Sequence, residues 1–238
     1  MIDKSQRRAA RVIGITYPLT FVIVTVAFFR YYAPLLVWNN LAETAHNLTA
    51  HEHAFRIYLA SALIYAVGAM VLLTALYVVL RPISRGLALF AAFSRLVYAF
   101  MWFVMLFDFF GALRVMGSGY LQVFESSRLQ AWAGLQLASG FDAYYLGLTC
   151  YGLGSVVFSY LWFKSRYIPR TLSALGVLSS LFEGGCAFAY LIFPSFGKIV
   201  SVNWYELPMG LFELALSFWI LVRGLRPPEI AKAISAKP

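Results

Sequence analysis

Six long apolar runs, at about residues 12–29, 57–80, 86–110, 141–163, 171–193 and 207–222, alternate along the chain with short polar or Pro-bearing connections. A helix rises about 1.5 Å per residue and a bilayer's hydrocarbon core is about 30 Å thick, so each run has roughly the length of one crossing. The pattern predicts an all-α membrane protein, a six-transmembrane-helix bundle forming a single integral domain over 1–238. Two connections, Arg81-Pro82-Ile83-Ser84-Arg85 and Lys164 to Arg170, are short and carry Pro, which stops one helix with little room before the next. They predict antiparallel hairpins of spans two with three and four with five. Their shared Ile-x-Arg-x-Leu spacing, Ile83 to Leu87 and Ile168 to Leu172, is compatible with a duplicated hairpin.

The other connections are longer. Trp38 to Arg56 has a helix-compatible composition with Asn39 or Asn40 as N-cap, and Ser126 to Leu137 predicts a second interfacial helix capped by Ser126 with Trp132 at headgroup depth. Trp204 and Tyr205 mark the same boundary before span six, and Pro194 and Pro208 bracket the third outer loop.

Composition removes the alternative of a water-soluble fold: 61% of the residues are hydrophobic, 12% are charged and the mean hydropathy is +0.75. The net charge of +9 would suggest nucleic acid in a soluble protein, but here its distribution follows topology. Lys4, Arg7, Arg8 and Arg11, then Arg81 and Arg85, then Lys164, Arg166 and Arg170, and finally Arg223, Arg226, Lys232 and Lys237 fall on one side. The other side has Arg30, Arg56, Arg114, Arg128 and Lys198, and Arg95 lies within a span. The positive-inside rule then predicts a plasma (inner) membrane protein with both termini cytoplasmic, the lipid bilayer as its solvent and no nucleic-acid partner. The first run is too long, and its flank Arg30 to Pro34 too bulky, for a cleaved signal peptide. Cys150 and Cys186 sit inside apolar runs, where a Cys acts as a small hydrophobe.

Charges inside the runs carry the candidate chemistry. Arg95, Glu183 and Glu213 all lie roughly 14–18 Å from the basic end of their spans at 1.5 Å per residue, close to one midplane. A mid-bilayer charge costs about 2.5–3.5 kcal/mol on insertion scales, so these groups should pair. Arg95 is expected to approach Glu213, Glu183 or both, with the remaining carboxyl protonated or hydrogen-bonded by Ser94, Ser179, Ser180 or Ser217. Such a cluster is either a polar clamp between helices or a site for a ligand, ion or proton. A second polar layer, Arg56, Asp108 and Asp142, is predicted near the outer surface, with Arg56 bridging to Asp108 or Asp142 and Asp142 suiting a helix N-terminus.

His46, His51 and His53 are weak metal candidates, because on a helix His51 projects away from the face that His46 and His53 share. All three histidines precede span two and no Lys falls in a span, so neither a bis-His haem nor a retinal Schiff base is expected. No cofactor and no catalytic set is predicted.

Several segments together resemble a known family. Asn47 to Arg56 (Asn-Leu-Thr-Ala-His-Glu-His-Ala-Phe-Arg) is similar to the entry to the second helix in the domain-of-unknown-function 4386 family of prokaryotic integral membrane proteins. Leu80-Arg81-Pro82-Ile83-Ser84-Arg85 followed by Phe93-Ser94-Arg95-Leu96-Val97 resembles its Leu-Arg-Pro turn and Arg-bearing third helix. Tyr167 to Gly176 and Glu213-Leu214-Ala215-Leu216 continue the likeness over nearly the whole chain, although an acidic residue usual early in the family's second helix is missing near Ala62. The resemblance implies a fold and no mechanism. The residues leave three readings: a non-enzymatic protein that binds a membrane-protein partner, a second copy or a small amphipathic ligand, including as an accessory subunit; a small proton-coupled transporter using Arg95, Glu183 and Glu213; and an intramembrane metal-dependent hydrolase.

Overall fold

The computed structural model describes residues 2–37, 40–117, 119–121, 123–193 and 195–227, without the side chains of Tyr120 and Lys198. Trp38, Asn39, Pro194, Lys232, Lys237 and the Lys198 side chain, named above, lie outside the described residues.

Among the described residues, six helices are long and apolar enough to cross a membrane. They are α1 (Lys4–Ala27), α3 (Glu52–Leu80), α4 (Arg85–Gly117), α5 (Ser126–Ser165), α6 (Arg170–Ile192) and α8 (Val202–Arg223), with short helices α2 (Leu41–Ala50) and α7 (Phe196–Ile199) between them. The first crossing continues past α1 through a π-helical turn, Phe28–Tyr32, and a 3₁₀ turn, Ala33–Leu35. Each crossing helix packs on the next, and α1 against α8 closes the series into a ring.

Local sequence explains most of the ends. Asp3 and Gln6 form a reciprocal capping box at the start of α1. Asn40 caps α2, its side chain accepting from the Glu43 N–H at 3.1 Å. Pro82 follows α3, Pro169 precedes α6, and Gly224, at φ +67°, ends α8. The two basic turns differ in backbone: Arg81 is right-handed, whereas Arg166 is left-handed at φ 56°.

Three loop expectations change. Ser126 is the first residue of α5 rather than the cap of a separate interfacial helix; Glu125 precedes it and the helix runs on unbroken to Ser165. At about 60 Å for its 40 residues, α5 is far longer than the hydrocarbon core, so its polar beginning prolongs the crossing. Pro208 lies inside α8, which starts at Val202, because a Pro in the second turn displaces few helical hydrogen bonds.

Side chains bridge the helices at both ends of the ring. At the basic end the buried Gln6 side chain donates to the Val79 carbonyl at 2.9 Å and to the Tyr167 hydroxyl at 3.3 Å, fastening α1, α3 and the α5–α6 turn together. At the other end Tyr32 stacks on Tyr58 with ring centres 4.5 Å apart and packs on Phe55 and Phe109.

The α5–α6 crossing is the tightest. A Cβ added at Gly152 would lie 2.5 Å from the Gly184 Cα, so the two backbones are in contact. Gly152→Ala is expected to force the helices apart and cost about 1–3 kcal/mol of stability. Gly185→Ala, with nothing within 4 Å of its added methyl, is expected to leave stability unchanged or slightly raised. Thermal unfolding in detergent of the two variants checks this; equal midpoints would show that the crossing is not close.

Candidate functional site

Arg95 projects from α4 into the ring and is 7% exposed. Gly154 makes this possible: a Cβ there would meet the Arg95 Cγ at 2.9 Å and the Ala91 carbonyl at 2.8 Å. Arg95 Nη2 donates to Glu213 Oε1 on α8 at 2.8 Å, and Nη1 donates to the Tyr17 hydroxyl on α1 at 2.6 Å. The guanidinium lies 4.2 Å from the Tyr151 ring centre on α5, and the Tyr151 hydroxyl donates to the same Glu213 Oε1. One cation therefore ties α1, α4, α5 and α8. Cation–π contacts contribute about 2 kcal/mol when desolvated, and removing one partner of a buried ion pair costs about 3–5 kcal/mol.

Beside this pair is a cavity of about 30 Å³, lined by Arg95, Glu213, Tyr17, Tyr98 and Tyr151 together with residues of α1 and α3. It has room for about two waters. Tyr65 and Tyr98 extend its polar wall, their hydroxyls 3.2 Å apart, and Trp102 packs 4.6 Å from the Tyr65 ring. Of the lining residues only Phe21 is exposed on the outer surface of the bundle, at 37%. A smaller void of about 10 Å³ lies on the other side of Arg95, against Ser155, whose buried hydroxyl has no hydrogen-bond partner.

Glu183 is 3% exposed on α6 and near enough to interact electrostatically with Glu213 and Arg95, but among the described residues it joins no ion pair. Its Oε2 has no hydrogen-bond partner. The serines expected to serve a carboxyl bond their own helices instead: Ser94 to Phe90 O, Ser179 to Leu175 O, Ser180 to Gly176 O and Ser217 to Glu213 O. A Ser in a helix can satisfy its hydroxyl on the carbonyl four residues back, and beyond that Ser179 and Ser180 reach only the Met209 sulfur on α8.

The outer layer is assembled differently from the expectation. Arg56 pairs with Glu52 one turn earlier at 2.6 Å and lies against the Phe110 ring rather than bridging to Asp108 or Asp142. Asp142 is deep within α5, not at a helix N-terminus, and accepts from the Tyr190 hydroxyl at 3.3 Å. Asp108 is half-buried on α4. His46, His51 and His53 are exposed, with a His51 ring nitrogen 3.1 Å from Asn47 O, and the described residues contain no cluster of three or more His, Cys, Asp or Glu able to hold a metal.

Three participants were not singled out from the sequence. Tyr17 and Tyr151 carry no signal that separates them from the chain's other tyrosines, 15 in all. Glu206, hydrogen-bonded by the Tyr144 hydroxyl, follows the Trp204-Tyr205 boundary pair and reads as lying outside span six.

Ring and buried ion pair together define a polytopic α-helical membrane protein with a charged centre. Residues 12–224 match the family described as domain of unknown function (DUF4386), and the chain belongs to that family. An uncharacterised protein of Archaeoglobus fulgidus is 22% identical over 160 residues, covering 66% of this chain and 76% of the relative. No solved structure matches the chain.

Arg95→Leu and Glu213→Gln are each expected to destabilise the protein by about 3 kcal/mol, because each leaves a buried charge or its partner unsatisfied. The double variant should be more stable than the sum of the two losses requires, with a coupling above about 1 kcal/mol. Unfolding of all four proteins in one detergent gives the cycle; strictly additive losses would argue against the contact.

Proposed function

We propose that this chain is a non-enzymatic membrane protein that binds a small amphipathic ligand, with Arg95 as its polar anchor. The mixed lining of the 30 Å³ cavity carries this reading: it divides between a guanidinium with phenol hydroxyls and the apolar side chains of Phe21, Leu72 and Ala69. An amphiphile presents the same division. Phe21, the one exposed residue of the lining, is the natural entrance, and at its depth in the first crossing it would open toward lipid rather than water. The ligand's head would take the place of about two waters while its tail stays alongside α1.

Decanoate added to the protein in lipid nanodiscs is expected to raise the unfolding midpoint by several degrees, as a ligand at about 100 times its Kd adds about 2.7 kcal/mol. The double variant Arg95→Gln/Glu213→Gln, which lacks both charges and so leaves none unpaired, should fold and show no shift. Acetate, with no tail, should not stabilise the wild type. Absence of a decanoate shift in the wild type would sink the reading.

A second reading, proton-coupled transport, is favoured by one observation: Glu183, Glu206 and Glu213 stand in the same bundle as the single guanidinium of Arg95. Three ionised carboxyls against one cation are costly in a low dielectric, so protons must reside there. A pH-dependent flux of decanoate across proteoliposomes, abolished by Glu183→Gln, would support carriage over binding alone.

The basic residues at one end of the ring favour an orientation with both termini in the cytoplasm of a prokaryotic cell. Single cysteines introduced by Ser5→Cys and Ser127→Cys, with Cys150 and Cys186 replaced by Ser, test this with an impermeant thiol reagent. Ser127→Cys should label on intact spheroplasts and Ser5→Cys only after lysis; the reverse pattern would invert the topology.

A further inference from the structure

The Arg95 site holds one cation and one directly paired anion, and its geometry limits how a second anion can enter. Glu213 meets a charged or titratable group from every neighbouring element: Arg95 from α4, Tyr17 from α1, Tyr151 from α5, and at longer range Tyr65 from α3 and Glu183 from α6. Arg95 is the sole cation in that set. Glu183, whose Oε2 has no hydrogen-bond partner, already borders the negative side of the pair. Bringing another anion to Arg95 with Glu213 still ionised would leave excess negative charge at mid-bilayer depth, where net charge is penalised.

We infer that the ligand is an anionic amphiphile that binds by exchange: its oxyanion replaces the Glu213 carboxylate on Arg95 and one proton is taken up onto Glu213. This deepens the binding reading above and rests on it.

The exchange balances. The ligand arrives with one negative charge, the proton comes from the aqueous phase, and the site ends as neutral as it began. The Arg95 Nη2 hydrogen bond passes from Glu213 Oε1 to a ligand oxygen, no covalent bond between heavy atoms changes, and Glu213 becomes a neutral acid. The hydrogen-bonding groups needed for both states are already in place. Tyr17 accepts from Arg95 Nη1, and its own hydroxyl hydrogen can turn from Glu213 to the incoming oxyanion. Tyr151, which donates to Glu213 Oε1, can turn its hydroxyl to accept from the protonated acid instead. The 30 Å³ cavity touches Arg95, Glu213, Tyr17 and Tyr151 at once, so the two oxygens of a head group fit where the exchange occurs.

Protonation of the ligand itself must be separated from protonation of Glu213. 1-Decanesulfonate does this, since a sulfonate stays ionised at any working pH. Calorimetric titration into nanodisc-embedded protein, repeated in two buffers of different ionisation enthalpy and corrected with empty nanodiscs, counts the protons. For the wild type about one proton should be taken up per sulfonate bound, and affinity should fall as the pH is raised. Glu213→Gln, which mimics the protonated acid, should bind the sulfonate without proton uptake and with an affinity independent of pH. Its lowered unfolding midpoint should recover when the sulfonate is added. Methanesulfonate should bind at least tenfold more weakly, as it has no tail, and decyltrimethylammonium should not bind at Arg95.

Binding to the wild type without proton uptake overturns the exchange while leaving the binding reading intact. Uptake that persists in Glu213→Gln overturns it too, by assigning the proton to another group. Methanesulfonate binding as tightly as decanesulfonate would replace the amphiphile with a small free oxyanion. No binding of any sulfonate or carboxylate to the wild type would remove the binding reading itself.

Discussion

A guanidinium cannot leave its charge in hydrocarbon, and the rest of this bundle follows from accommodating Arg95. Its five N–H donors and its charge need acceptors that no single neighbouring helix supplies, so groups from α1, α5 and α8 converge on it. Tyr17 is on the first crossing and Glu213 on the last, so this convergence also helps to close the ring where α1 meets α8. The apolar surfaces of the six helices contribute little to that closure, because lipid tails solvate them as well as other helices do. Close packing and polar contacts have to specify the arrangement, and one layer of them gathers around Arg95. Gly154 beside the Arg95 stem and Gly152 against Gly184 bring the backbones near enough for that layer to form.

The number of crossings was legible because hydropathy over about 20 residues is set by the solvent, whatever the tertiary packing. Helix ends were harder, since α4 and α5 extend well past the hydrocarbon and nothing in their composition marks a stop at its edge. The depth of Arg95 and Glu213 could be counted along their spans, and the structure brings these two together. Depth alone did not say which of two carboxyls at similar height Arg95 would meet. That depends on rotation about the helix axis: Glu213 on α8 turns toward the guanidinium, whereas Glu183 on α6 joins no ion pair among the described residues. Tyr17 and Tyr151 were invisible for a different reason. A tyrosine in a membrane protein serves equally in an interfacial belt, a packed interface or a polar site, so its identity carries little information about its role.

The outer layer shows how local pairing pre-empts distant pairing. Arg56 was expected to reach Asp108 or Asp142, but Glu52 is one helical turn away on the same face, and an i,i+4 partner needs no tertiary structure to be available. Ser179, Ser180 and Ser217 follow the same rule, each bonding a carbonyl of its own helix. Arg95 departs from it. The residues one turn away on either side, Ala91 and Ala99, offer no acceptor side chain, so its hydrogen bonds go to other helices.

That departure is what makes the centre of this bundle chemically open as well as mechanically firm. A cation satisfied within its own helix would keep its partner through any rearrangement, whereas one satisfied across helices loses it when they shift. The first crossing is suited to such a shift: Pro18 interrupts its hydrogen bonding beside Tyr17, and a π-helical turn follows at Phe28–Tyr32. Phe21 lies between these two irregularities, at the outer wall of the cavity. The α4–α5 and α5–α6 packing holds the Arg95 backbone in place, and the irregular stretch of α1 lines the same cavity, so the constraint that organises the fold sets a firmly held cation beside an irregular crossing.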